Sequence, residues 1–310
     1  MYTNYFLFLC RFCLIKMRLT SKIRDYILLQ RYNIGFIDGD LQSVIEGDAI
    51  KVNWVKHNYK DRWFADPFIL DVTEREIIVL VEEWYDPIQR GRISKLTIDK
   101  RSFELKEIIV LLELETHLSF PMIVRTDNGI FVYPENSAIG KWVEYKYNPK
   151  TETLVAQRTV ANLPLTDSVI CGFFDEPLMF STCLPDANGK ELGIYSWDET
   201  KQEYIAKEYF HFEENLSRTA GDFFKYKGKI YRPAQVCIQS YGDAVSIQEV
   251  SHENGKWDFR EVKRIYSPHP DYDLGFHTFN MYKDVIVVDA LGFRKPKLCH
   301  FLRKLWHVVC

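Results

Sequence analysis

A carboxylate stands directly before a proline in Trp63-Phe64-Ala65-Asp66-Pro67-Phe68-Ile69, and an apolar run follows at once. Similar segments recur at intervals of about 50 residues, each with a polar residue at the matching place. They read His117-Leu118-Ser119-Phe120-Pro121, Leu165-Thr166-Asp167-Ser168-Val169, Leu216-Ser217-Arg218-Thr219-Ala220-Gly221 and Gly275-Phe276-His277-Thr278-Phe279. A fixed period of this length marks one supersecondary unit repeated around a centre, so the polar residues are expected to converge on one site. Further candidates are Glu82, Glu83 and Glu135, the last of which follows Tyr133-Pro134 at a strand end. Neighbours in a strand face opposite ways, so at most one of Glu82 and Glu83 points inward. Arg218, Arg232, Gln235, His117 and His277 add anion-binding and hydrogen-bonding groups, because an arginine fork holds phosphate in two places; the alternative for Arg232 is a pairing with a propeller carboxylate that holds two blades together. Trp63 and Tyr241 supply flat apolar surface. His117 and His277 stand too far apart for a local metal motif, and no phosphate-cradling glycine loop appears, so neither metal nor cofactor is expected.

The elements that must position these residues are strands. Ile77-Ile78-Val79-Leu80-Val81, Gly129-Ile130-Phe131-Val132-Tyr133, Leu178-Met179-Phe180-Ser181, Lys229-Ile230-Tyr231-Arg232 and Val285-Ile286-Val287-Val288 are short and rich in β-branched or aromatic residues. Asp127-Asn128-Gly129, Lys227-Gly228 and Asn254-Gly255 are turn signals between them. Four units each read as three strands, opening at Asp66, Pro121, Ser168 and Gly221. The fifth, from His277 to Asp289, runs short of residues, and Tyr32–Ile37 is free to complete it. The expected fold is all-β: a five-bladed β-propeller closed by an N-terminal strand, which removes exposed sheet edges. A β-sandwich is the runner-up but does not explain the repeated motif. The domain plan is an N-terminal extension over 1–31 (helical over 18–32, or preceding a true start at Met17), a propeller over 32–292 and a basic amphipathic tail over 293–310.

The chain has 310 residues, 46% hydrophobic, with 21 Phe, 18 Tyr and 7 Trp. Its net charge of -3 argues against nucleic acid as a partner. Seven scattered cysteines fit reduced thiols and a cytoplasmic location, and Cys10-x-x-Cys13 has no second pair at zinc spacing. The apolar N-terminal run is too short to span a bilayer. The basic tail leaves peripheral contact with an anionic membrane as a minority alternative to a solvated helix.

Phe64-Ala65-Asp66-Pro67-Phe68, His117-Leu118-Ser119-Phe120-Pro121, Pro134-Glu135-Asn136, Tyr231-Arg232-Pro233-Ala234-Gln235, Tyr241-Gly242 and His277-Thr278-Phe279-Asn280 together resemble the N-terminal domain of plant glucosamine inositolphosphorylceramide transferases. Bacterial proteins of sugar-polymer gene clusters carry similar domains. The resemblance runs from about residue 33 to about 292 and links the chain to the five-bladed propellers of arabinanases, β-xylosidases, levansucrases and invertases. It implies a carbohydrate partner, with or without phosphate, and chemistry at a glycosidic bond in surface-polysaccharide or glycolipid metabolism. A partner glycosyltransferase is also implied, since the plant domain precedes one.

Such chemistry uses two carboxyl groups. By the resemblance Asp66 is base or nucleophile, and Asp167 tunes the acid, which is Glu135 or Glu82. Trp63, His117, Arg218, Arg232, Gln235, Tyr241 and His277 are then the substrate-binding set. A non-catalytic glycan-binding propeller is the alternative.

Overall fold

The computed structural model describes residues 28–47, 49–299 and 301. Cys10, Cys13, Met17, most of the expected N-terminal helix and most of the basic tail lie outside them. Among the described residues, twenty strands form five four-stranded antiparallel sheets set around one axis. Two N-terminal strands, β1 (Gln30–Ile37) and β2 (Val52–Trp54), belong to the last sheet. Blade 1 is β3 (Arg62–Val72), β4 (Glu76–Tyr85), β5 (Arg90–Asp99) and β6 (Leu105–Leu112). Blade 2 is β7 (Ser119–Thr126), β8 (Gly129–Glu135), β9 (Trp142–Asn148) and β10 (Thr153–Ala161). Blade 3 is β11 (Leu165–Cys171), β12 (Leu178–Cys183), β13 (Glu191–Asp198) and β14 (Glu203–His211). Blade 4 is β15 (Phe224–Tyr226), β16 (Lys229–Val236), β17 (Ala244–Glu253) and β18 (Lys256–Ile265). Blade 5 runs β19 (Phe279–Tyr282), β20 (Val285–Phe293), β1, β2 from the axis outward. The closure therefore takes two strands from the N-terminal side rather than the one expected. A short helix, α1 (Leu41–Glu46), joins them and is capped by Asp40, whose carboxylate accepts the Ser43 N–H.

Each blade has one strand more than the sequence pattern suggests. Apart from β6, which reads LKEIIVLL, the outer strands are mixed or polar and largely solvated: β14 reads EYIAKEYFH, and its residues are all exposed or half-buried. They show little of the apolar signal that marks β4 or β12. Inner strands are covered on both faces by neighbouring blades and read as near-continuous apolar runs. Phe64, Phe68, Phe120, Phe180, Phe276 and Phe279 are buried between sheets. Each such ring contributes roughly 1.5–3 kcal/mol relative to an exposed one. The turn signals act as expected. Lys227-Gly228 and Asn254-Gly255 both take left-handed φ at two successive residues, the geometry of a tight hairpin.

Three blades carry the same irregularity where the inner strand begins. Between Ala65↔Glu82 and Phe68↔Leu80, β3 advances three residues while β4 advances two. The same bulge occurs between Ser119↔Glu135 and Met122↔Tyr133, and between Thr166↔Thr182 and Val169↔Phe180. The first bulged residue is left-handed each time: Asp66 at φ 50, Phe120 at φ 42 and Asp167 at φ 44. The structural equivalents are therefore Asp66, Phe120 and Asp167, one residue earlier in blades 2 and 3 than Pro121 and Ser168. Bulges of this kind re-aim a side chain and are frequent beside functional sites.

Candidate active site

The bulges aim carboxylates at the axis, and the carboxylates in turn hold the bulges. The Asp66 N–H donates to Asp289 Oδ2 at 2.9 Å, from blade 5. The Phe120 N–H donates to Asp66 Oδ2 at 3.1 Å. The Asp167 N–H donates to Glu135 Oε2 at 3.0 Å. Each left-handed residue thus gives its amide to an acid of the preceding blade. Left-handed non-glycine backbone persists where its surroundings over-determine it, and these bonds do so.

Two cations sit among the acids. Arg218, in the link from blade 3 to blade 4, donates Nε to Asp167 Oδ2 at 2.6 Å, Nη2 to Glu135 Oε2 at 3.4 Å and Nη1 to Asn188 Oδ1 at 3.0 Å. Its guanidinium lies 5.0 Å from the Tyr241 ring centre. Gln235 on β16 also donates to Asp167 Oδ2, at 2.6 Å. His277 is bonded through Nδ1 to Asp289 Oδ1 at 2.7 Å, and its Nε2 lies 3.5 Å from Asp66 Oδ1. Its ring stacks on Tyr32 at 4.6 Å and meets Tyr241 edge-on at 5.4 Å.

These contacts divide the protons. Burial works against charge on His277, but Asp289, Asp66 and Asp167 outweigh it and raise the imidazole to about 9. Burial also opposes charge on Asp289, yet His277 and three backbone N–H groups hold that carboxylate low. Asp66 is pushed up to about 7 by burial, against the pull of His277 and with the help of Asp167 and Asp289. Burial and then Asp167 push Glu135 up to about 8, while Arg218 opposes them. Burial drives Glu82 well above the usual carboxylate range, and Asp66, Glu135, Asp289 and Asp167 add to it. Asp66 Oδ1 is buried and accepts no hydrogen bond.

The structure brings Asp66, Glu82, Glu135, Asp167, Arg218, Gln235, Tyr241 and His277 together. His117 lies at the mouth of the site, its side chain 42% exposed, with Nε2 3.5 Å from Glu82 Oε1. Trp63 stacks parallel on Trp84 at 5.5 Å, and Trp84 lies 6.0 Å from the His117 ring. Arg232 is different. It is three residues before Gln235 on β16, so it faces the other way. It is fully buried near Phe212 and Phe259, and it donates to the carbonyls of Leu216 and Ser217 and to Gln248. Its expected place in the substrate-binding set is therefore corrected: burial lowers its pKa to about 9, and it braces the link between blades 3 and 4.

Glu83 turns away from Glu82 and is fully buried between Arg62 and Arg92, at 2.8 and 3.1 Å. Glu83→Ala would leave two guanidinium groups without it, and a loss of about 3 kcal/mol is expected in urea unfolding. Asp289, Tyr32 and Trp84 are site residues that the motif reading passes over. Asp289 is the one charged residue in β20, VIVVDALGF, and a lone carboxylate inside an apolar strand is the signal that could have exposed it.

Five blades with titratable groups gathered on the axis define a propeller with a central polar site. The chain belongs to the family described as glucosamine inositolphosphorylceramide transferase 1, N-terminal, whose model matches residues 50–272. It is 22% identical over 215 residues to glucosamine inositolphosphorylceramide transferase 1 of Oryza sativa subsp. japonica, covering 66% of this chain and 28% of that protein. The Arabidopsis thaliana protein of the same name is 22% identical over 217 residues, with the same shares. The chain thus spans little more than a quarter of these relatives. Among solved structures it resembles the GH43_1 enzyme from Xanthomonas citri complexed with xylose, with TM-score 0.52 and 9% identity over 76% of this chain and 87% of that one. It also resembles RS223-β-xylosidase, with TM-score 0.50 and 11% identity over 74% and 92%. At these identities the likeness concerns the fold. Among the described residues no helix is long and apolar enough to cross a membrane.

Proposed function

We propose that this domain is a carbohydrate-active enzyme that acts at a glycosidic bond. The observation that carries the reading is the pair Asp66 and Glu82. Asp66 presents a buried carboxylate oxygen without a donor, and burial, with Asp66 as the largest contributor among the acids, holds the second carboxyl group, Glu82, well above the usual carboxylate range. Two carboxyl groups in different protonation states are what glycosidic cleavage needs. Glu82 protonates the leaving oxygen. Asp66 activates a water or acceptor hydroxyl, or attacks the anomeric carbon itself. Asp167 and Arg218 set the field around Glu135, a second proton donor within the same cluster. Trp63, Trp84, His117 and Tyr241 give the sugar flat surfaces. The relatives' name contains a glucosamine transferase, and a xylose complex and a xylosidase share the fold, which supports a sugar as ligand.

A second reading is favoured by one observation: the acids also serve as acceptors for the bulge amides, and Arg218 is fully engaged. On that reading the centre is a rigid glycan-binding surface without turnover. A panel of aryl glycosides and nucleotide sugars, assayed for sugar release with wild type, Asp66→Asn and Glu82→Gln, separates the two. Turnover by wild type that both variants lose is the expected result. Equal turnover by wild type and Asp66→Asn would remove Asp66 from the mechanism. Saturable glycan binding with no turnover would establish the second reading.

A further inference from the structure

A cavity of about 320 Å³ opens between blades 5 and 1, beside the central site but outside its carboxylates. That volume lies in the range of small-ligand pockets. Five of its lining residues are lysine or arginine, and one, Asp271, is acidic. Arg31 and Arg62 are set in place from behind: Arg31 bonds Asp86 at 2.6 Å, and Arg62 bonds Asp61 and Glu83 at 3.0 and 2.8 Å. None of those three acids lines the cavity. Lys60 stands exposed on its rim.

Two buried nitrogens of lining residues have no hydrogen-bond partner: Arg31 Nε and His57 Nδ1. Buried polar atoms are satisfied in nearly all native structures, so two unpartnered nitrogens on side chains that line one cavity suit an acceptor there: Arg31 Nε is a donor, and His57 Nδ1 is one in the tautomer that carries its proton on that nitrogen. The His57 ring is fixed edge-on against Phe64 at 5.2 Å. Tyr32 and Trp63, 5.4 Å apart, form the wall shared with the centre, where Tyr32 stacks on His277.

We propose that this cavity binds the phosphoryl group of a phosphorylated sugar, with Arg31 Nε, His57 and Lys60 contacting its oxygens. Three donors of different origin suit a tetrahedral oxyanion with several free oxygens better than a planar carboxylate. Tyr32 and Trp63 lie against the attached ring. The site uses none of the central carboxylates, so it stands or falls separately from the proposed glycosidic chemistry.

Calorimetric titration of the full chain tests it, with inorganic phosphate, glucose 1-phosphate, glucose and glucuronate as probes. Saturable binding of glucose 1-phosphate, tighter than that of inorganic phosphate and absent for glucose, is expected. Lys60→Glu and His57→Phe are each expected to weaken it about tenfold or more. Asp66→Asn leaves it unchanged. Lys60 is exposed, so Lys60→Glu keeps the fold, and its melting curve verifies this. No saturable binding of either phosphate, the same affinity in both cavity variants, or equal binding of glucuronate would overturn the proposal.

Discussion

Asp66→Asn is expected to cut turnover about a thousandfold while making the protein more stable above neutral pH. The two effects have one origin. Burial pushes the Asp66 carboxyl up to about 7, so the folded protein holds an ionised Asp66 at a loss when the pH is 8. An amide removes that charge and keeps the shape. Asparagine tolerates the left-handed φ of 50, and its carbonyl oxygen still accepts the Phe120 N–H. A gain of about 1–3 kcal/mol at pH 8 follows, read by urea unfolding beside the kinetic assay. A residue with only a structural role would lose stability on substitution. A thousandfold loss of rate together with an unchanged or higher unfolding midpoint at pH 8 therefore assigns Asp66 to the chemistry.

Stability should also decline from about pH 5 to pH 9. Asp66, Glu135 and Asp222 have folded pKa values raised to about 7, 8 and 7. Between the ordinary carboxyl value and these, the folded state keeps protons that the unfolded chain has released, so rising pH favours unfolding. His277 acts in the same sense. Its pKa is raised to about 9, so its contribution is complete below about 6.5 and is lost as pH rises through 9. Asp289 works the other way, because its pKa is held low and its contribution disappears only in acid. One carboxyl moved from near 4 to near 7 accounts for up to about 4 kcal/mol. Asp66, Glu135 and His277 share one site and their effects overlap, so the decline they cause together is set at about that size. A melting temperature that rises from pH 5 to pH 9 would contradict this distribution of protons. In Asp66→Asn the decline should be shallower.

Much of the architecture is legible in the chain because inner strands must be apolar on both faces. Ile77–Val81 and Val285–Val288 announce themselves in that way. Outer strands such as β14 and β18 do not, since water covers one face and their sequences are rich in charged residues. The centre is legible where a motif repeats, which is how Asp66, Asp167, Arg218 and His277 come forward. It is illegible where facing depends on register. Arg232 and Gln235 share one strand and one motif, yet an odd spacing of three sends only Gln235 to the axis. The bulge hides a similar shift: Phe120 and Asp167 occupy the place of Asp66, and periodicity alone cannot count the extra residue.

Closure of blade 5 by β1 also sets a timetable for biosynthesis. Its pairing partner β20 begins 248 residues after β1 ends, counting from 37 to 285. At roughly 5–20 residues per second a ribosome needs roughly 12–50 s to cover that distance. Throughout it, β1 waits with its edge unmatched, and Asp66, Glu82, Glu135 and Asp167 exist without His277. The imidazole that balances the axial acids is thus among the last parts of the ring to be made. Completion of the ring and arrival of the second cation at its centre, after Arg218, are therefore a single late event in the life of each new chain.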